Sequence, residues 1–380
     1  MHKQIATALT LAALVAACGK EQMPTDADEA TDGTPLVTAA AGQGYVYAAT
    51  NAVSGNSVVV FTRASDGSLT MAGSYATGGK GTGAGLGSQG SLIVSDGGQW
   101  LFVANAGSSE VSVFRISGAS LALTDKVGSG GDTPVSLAFR KGLLYVLNSR
   151  RSGNITGFAL DQAGKLTPVA GSTRPLSGAD SVAPAQIEFV VGSRSLIVTE
   201  RATDLITTYA LAGDGTPGAP QFTSSAGTEP FGFAQTRRGV LVVSEAADGM
   251  PGLSTGSSYQ VSGTSVNVTS GAVANGQTAS CWVALAPGQR IAFMTNTGSG
   301  TVSSYEIRDD GSLHLLNGAA ASTGHGSLPI DATASANGFL YVLNEASGEI
   351  DVFTIGPTGS LTAQSSIDNL PSFAAGIAQR

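Results

Sequence analysis

Glu200 and Glu245 stand where five other copies of a recurring short motif carry asparagine, and they fall on adjacent copies. Paired carboxylates at one opening can raise each other's pKa and divide two tasks, general base and general acid, the base activating water for attack on an ester carbonyl. Arginines accompany them: Arg201 follows Glu200, and Arg150 and Arg151 follow Asn148 on the preceding copy. A guanidinium there suits a carboxylate-bearing ligand or an oxyanion. Gln186 and Asp331 sit near the start of two apolar strands and are expected to point into a central channel, while His325 lies in Gly324-His325-Gly326, in a loop entering the last copy. The competing readings are structural. A glutamate can cap its own loop, a loop arginine can be solvated, and polar channel residues can simply hold water. Cys281 with His325 would form a nucleophile pair only within hydrogen-bond reach, and cysteine is more often plain core. The histidines are His2, His314 and His325, and no dense cluster of acids, cysteines or histidines has the spacing of a metal cage, so neither metal nor cofactor is expected.

The elements that must hold these residues recur. An apolar strand ending in Asn or Glu appears seven times, as Val46 to Asn51, Leu101 to Asn105, Leu144 to Asn148, Leu196 to Glu200, Leu241 to Glu245, Ala292 to Asn296 and Leu340 to Asn344. The end residues are 54, 43, 52, 45, 51 and 48 positions apart, the period of a four-stranded propeller blade. A second strand carries an aromatic in step (Phe61, Phe114, Phe158, Tyr209, Tyr259, Tyr305, Phe353), and turn signals such as Asp66-Gly67-Ser68 and Asp310-Gly311-Ser312 follow it. Six copies have an additional strand upstream: Ser91 to Ser95, Val135 to Phe139, Ala185 to Phe189, Phe231 to Gln235, Ala279 to Leu285 and Ile330 to Thr333. The first copy lacks one, and Ala374 to Gln379 reads like the missing strand. The expectation is an all-β, seven-bladed β-propeller over residues 42–380, closed by its C-terminal strand on the N-terminal blade. Its two acids and accompanying arginines would then surround the channel mouth formed where the first named strands end. The glycine run Gly78 to Gly90 is a loop entering the second blade, answering a backbone need near that mouth.

Segments such as Leu340-Tyr341-Val342-Leu343-Asn344-Glu345-Ala346-Ser347-Gly348-Glu349-Ile350-Asp351-Val352-Phe353, and Trp100 to Phe114, resemble the lactonase family of seven-bladed propellers, which includes 6-phosphogluconolactonase-like and carboxymuconate-lactonizing proteins. The likeness spans residues 44 to 380 and implies metal-independent hydrolysis or isomerisation of a sugar or muconate-type lactone. No catalytic motif of the family aligns residue by residue. The alternative is a non-catalytic, surface-anchored propeller that binds an envelope protein or ligand.

The N-terminus supplies an address. Residues 1–17 combine a basic start (His2, Lys3), an apolar stretch from Ile5 to Ala16 and small residues before Cys18, the pattern of an export signal and too short to span a bilayer. Leu14-Val15-Ala16-Ala17-Cys18 resembles a bacterial lipobox, which implies cleavage before Cys18 and lipidation of its thiol, and Gly19 after it implies the outer membrane, facing periplasm or cell surface. Residues 18–41 read as the lipidated cysteine and a polar, disordered tether. Across 380 residues, 27 acids against 19 bases give a net charge of −8, which removes the electrostatic basis for nucleic-acid binding. The expected partners are a lactone or acidic small molecule, the membrane through Cys18 and an envelope protein, with the chain itself a monomer.

Overall fold

The computed structural model describes residues 44–178 and 180–380; the signal, Cys18 and the tether lie outside the described residues. Seven antiparallel sheets form seven blades around a central channel. Blade 2 shows the pattern: Leu92–Val94 lies innermost, followed outward by Trp100–Asn105, Glu110–Ser117 and Ser120–Gly128. The innermost strands of blades 3 to 7 are Pro134–Arg140, Pro184–Phe189, Pro230–Gln235, Ser280–Leu285 and Pro329–Ala334, each within one or two residues of the sequence expectation. The outer position of blade 3 is shared by two short strands, Leu166–Pro168 and Arg174–Pro175, both paired with Asn154–Leu160.

Blade 1 is completed from the far end of the chain, as expected. Ile377–Gln379 pairs antiparallel with Gly44–Ala49, in the register Val46 to Gln379 and Ala48 to Ile377. Closure leaves the inner strand of blade 1 paired rather than open, removing an edge that could template aggregation.

Among the described residues the apolar core forms seven clusters, six of them in seams between successive blades and the seventh running from the seam of blades 7 and 1 across the channel to Phe231 and Trp282. Strand alternation sends one face of each blade into each neighbouring seam, so the second strands are buried on both faces and read as near-continuous apolar runs. The in-step aromatics Phe61, Phe114, Phe158, Tyr209, Tyr259, Tyr305 and Phe353 all fill these seams. Tyrosine hydroxyls add bonds across them: Tyr209 Oη donates to Pro175 O at 2.8 Å and Tyr305 Oη to Val273 O at 3.1 Å, each reaching the blade before its own. Such a bond offsets the cost of burying the hydroxyl with the ring.

Candidate functional site

Several of the strand-end residues act as latches between blades. Asn105 is typical: its Oδ1 accepts from Thr77 Oγ1 at 2.7 Å and from Asn56 Nδ2 at 3.1 Å, while its Nδ2 donates to Ser112 Oγ at 2.8 Å. It thereby ties the preceding blade's exit to its own third strand. Glu200 and Glu245 do the same with acceptors only. Glu200 accepts from Thr207 Oγ1 at 2.6 Å, Thr203 Oγ1 at 3.0 Å and the Ser177 amide at 3.2 Å. Glu245 accepts from the Gly227 amide at 2.9 Å, from Ser225 Oγ at 3.4 Å and from Thr255 Oγ1. Where every neighbour is a donor, a carboxylate satisfies what an amide cannot. Both glutamates are fully buried. Burial raises the Glu245 carboxyl, and hydrogen bonds from Ser257, Thr255, Gly227 and Ser225 oppose that rise. The expectation of an open, paired acid and base at positions 200 and 245 therefore gives way to a capping role for each.

The mouth they were to surround is filled. The end of the glycine run crosses the channel: Gln89 Nε2 donates to Val283 O at 2.8 Å and Gln89 Oε1 accepts the Val283 amide at 3.1 Å, joining blades 2 and 6. Ser88 Oγ donates to Val135 O of blade 3 at 2.8 Å, the Gln89 amide donates to Ala185 O of blade 4 at 3.0 Å, and Trp282 Nε1 donates to Ser88 O at 2.8 Å. Blade 5 makes room with Gly232, where an added Cβ would lie 2.2 Å from Gln89 Oε1. Phe231 packs on Trp282 with ring centroids 4.9 Å apart, and both are buried. Arg201 covers this plug, its guanidinium 4.6 Å from the Phe231 ring, its Nε donating to Ala183 O at 3.2 Å and its Nη1 3.5 Å from Glu229 Oε1. Burial pulls the Arg201 pKa down while Glu229 supports its charge.

The channel remains hollow at its opposite end, where the turns between innermost and second strands lie. A cavity of about 590 Å³ is walled there by innermost strands of blades 1 to 5 and 7. Gln186 and Asp331 line it, as expected, and with them stand Glu188, Arg140, Asp96 and Gln235. Asp331 is buried; its Oδ1 accepts the Ala332 amide at 3.0 Å and its Oδ2 the Ile377 amide of the closing strand at 3.4 Å. Burial pushes its pKa up to about 7, against the pull of those backbone donors and the Gly90 amide. Glu188, part of whose surface is open, accepts from Gln235 Nε2 at 3.1 Å. Desolvation pushes its pKa to about 7 as well; the Gln235 bond lowers it and the Asp96 charge raises it. Gln186 Oε1 takes the Phe233 amide at 2.6 Å, which fixes that side chain between blades 4 and 5. At the rim Arg140 donates to Val190 O at 2.9 Å and Ser193 O at 2.5 Å, with its guanidinium 4.4 Å from the Phe189 ring.

Of the residues singled out from sequence, Gln186 and Asp331 meet in this cavity, and Glu200, Glu245, Arg201, Arg150 and His325 do not line it. Arg150 is exposed, in a separate cleft of about 360 Å³ with Arg151, Asp132 and Asn148. His325 is exposed in its loop, whereas Cys281 is fully buried, so the two make no nucleophile pair. Glu188 was missed although its signal was present. It lies two residues from Gln186 on a strand, hence on the same face. Among the described residues, no group of three or more His, Cys, Asp or Glu could hold a metal ion, and no helix is long and apolar enough to cross a membrane.

Comparison with known proteins agrees with this architecture. A family model described as "Lactonase, 7-bladed beta-propeller" matches residues 43–174. No curated protein sequence matches the chain. Among solved structures, a putative 6-phosphogluconolactonase from Bacteroides fragilis is similar with a TM-score of 0.70 at 16% identity, over 90% of this chain and 98% of that one. The periplasmic gluconolactonase of Pseudomonas aeruginosa gives 0.70 at 15% identity over 89% and 99%, and a protein from Lactobacillus plantarum gives 0.72 at 14% over 89% and 99%. At such identities the likeness shows the fold, a complete seven-bladed propeller.

Proposed function

We propose that this protein is a lactonase-like hydrolase whose reaction takes place in the open half of the channel. The observation that carries the reading is the pair Glu188 and Asp331, two carboxyl groups held near neutrality in one cavity of about 590 Å³. Perturbed titratable groups in a concave site are the physical mark of acid–base chemistry, and the volume suits a small ring. The partial family match and the gluconolactonase names among structural neighbours favour a sugar lactone.

Glu188, the more open of the two, takes the role of base. It removes a proton from water as the water oxygen bonds to the lactone carbonyl carbon. Collapse of the tetrahedral adduct breaks the ring C–O bond, and the proton held on Asp331 passes to the departing ring oxygen. The product is an open-chain hydroxy acid, and solvent returns Glu188 and Asp331 to their starting protonation. Gln186, with its carbonyl engaged by the Phe233 amide, keeps its Nε2 donors for substrate oxygens. We further propose that the domain works outside the cytoplasm, anchored through Cys18, as the N-terminal pattern implies.

The test is base-consumption titration at fixed pH with a panel of aldonolactones and muconate-type lactones, spontaneous hydrolysis subtracted. Glu188→Gln is expected to lower kcat by about 10²–10⁴, the range for loss of a positioned base, while Glu200→Gln keeps kcat within about twofold. Absence of turnover on every lactone, or a Glu188→Gln variant equal to the parent, overturns the reading and points to the binding-module alternative.

A further inference from the structure

A second depression opens on the same end of the ring, between blades 2 and 3. It has a volume of about 670 Å³ and shares Asp96 and Phe139 with the wall of the channel cavity, so the two spaces adjoin. Its lining includes the half-buried ring of Phe139 and the buried Trp100, over whose ring the Arg115 guanidinium lies at 5.3 Å. Its walls carry Asp96, Gln99, Arg115, Lys141, Asp161 and Gln162. All six are exposed. Asp161 is fixed by its own turn, where its Oδ1 accepts the amides of Ala163 at 2.9 Å and Lys165 at 2.8 Å.

Three properties narrow the occupant. The cavity alone is already within the roughly 300–1,000 Å³ that encloses a whole small molecule, so a single sugar ring leaves the adjoining groove empty. The groove's two cations, Arg115 and Lys141, are matched by two anions, Asp96 and Asp161, so the walls favour neither an anionic nor a cationic ligand. Carboxylates, primary amides and cationic donors together offer both acceptors and donors beside the Phe139 ring, the complement of a polyhydroxylated chain.

We propose that the groove is a subsite for the non-reacting sugar units of an oligosaccharide, whose terminal ring occupies the channel cavity. The proposal rests on the reading of the channel as the sugar-lactone site and deepens it: the preferred substrate is the lactone of a neutral di- or trisaccharide rather than of a lone or charged monosaccharide.

Binding tests this without turnover. Calorimetric titration of the whole protein with glucose, then with maltose, maltotriose, cellobiose and cellotriose, is expected to show Kd falling at least tenfold with added units for one linkage. Glucuronate and glucose 6-phosphate are expected to gain nothing over glucose. In the doubly substituted Gln99→Ala, Gln162→Ala protein the length-dependent gain disappears while glucose binding is unchanged; Lys141→Ala reduces the gain in the same way. Affinity that ignores chain length for both linkages, a gain that survives these substitutions, a preference for the charged sugars, or no sugar binding at all overturns the proposal. A length-dependent gain in a protein that hydrolyses no lactone leaves the groove assigned and removes only the catalytic reading.

Discussion

Replacing Asp331 by asparagine is expected to change how stability responds to pH, with a reversal of sign. In the folded protein burial holds this carboxyl protonated up to about 7, against an ordinary value of 3.8. Below about pH 4 both folded and unfolded chains carry the proton, and the group's full contribution to stability is present. As pH rises, the unfolded chain releases the proton first, so stability falls progressively through about pH 7 and then levels. At about 1.4 kcal/mol per pH unit, the interval from 3.8 to about 7 amounts to a loss of about 4 kcal/mol. Asparagine cannot ionise and abolishes that loss. It also presents an NH₂ group to one of the two amides that Asp331 now accepts, Ala332 or Ile377. A donor facing a donor in a buried site costs about 1–3 kcal/mol. The variant is therefore less stable than the parent at pH 4.5 and equal or more stable above pH 7.5. Guanidinium midpoints of both proteins at half-unit intervals between pH 4.5 and 8.5 measure this directly, and taking the difference cancels groups that titrate alike in both. A difference that stays constant across the range would refute the reasoning, because it would mean that Asp331 is ionised in the folded protein throughout.

Glu245→Gln replaces an acceptor surrounded by donors with an amide that adds donors of its own; a loss of about 1–3 kcal/mol in stability is expected, with kcat/KM on any accepted lactone within about twofold, and a selective loss of kcat would restore Glu245 to catalysis. Deleting residues 376–380 removes the strand that completes blade 1 and exposes the inner edge of Gly44–Ala49; the thermal midpoint should drop and sedimentation should show association, whereas an unchanged monomer would mean that closure contributes little. Radiolabelled palmitate should enter the full-length protein in a bacterial host and be lost in Cys18→Ser. Because the chain has two cysteines, a Cys18–Cys281 disulfide found by non-reducing mass analysis would exclude the anchor.

Much of this molecule is legible in its sequence because the informative patterns are local. The alternation of strand residues, an aromatic at one fixed point of each second strand and a polar residue closing each first strand repeat at blade length, and seven repeats with one missing inner strand imply that Ile377–Gln379 must come back to Gly44–Ala49. Gln186 and Asp331 were readable as channel residues because polar side chains break the apolar pattern of strands nearest the axis.

Which end of the channel is open, and so which carboxylates line it, was decided only in three dimensions. The bonds that fill one mouth join Gln89 to Val283 and Ser88 to Trp282, pairs 194 residues apart, and no local pattern announces that a glycine-rich loop will turn inward rather than lie on the rim. Glu200 and Glu245 differ from their asparagine counterparts in sequence, and their partners Thr207, Ser177, Gly227 and Thr255 are donors, so the difference matches the hydrogen-bond polarity of their surroundings. Sequence determined the ring and the strand that closes it. Tertiary packing alone set the dielectric around Glu188 and Asp331, because a carboxyl's proton affinity depends on what surrounds it after folding.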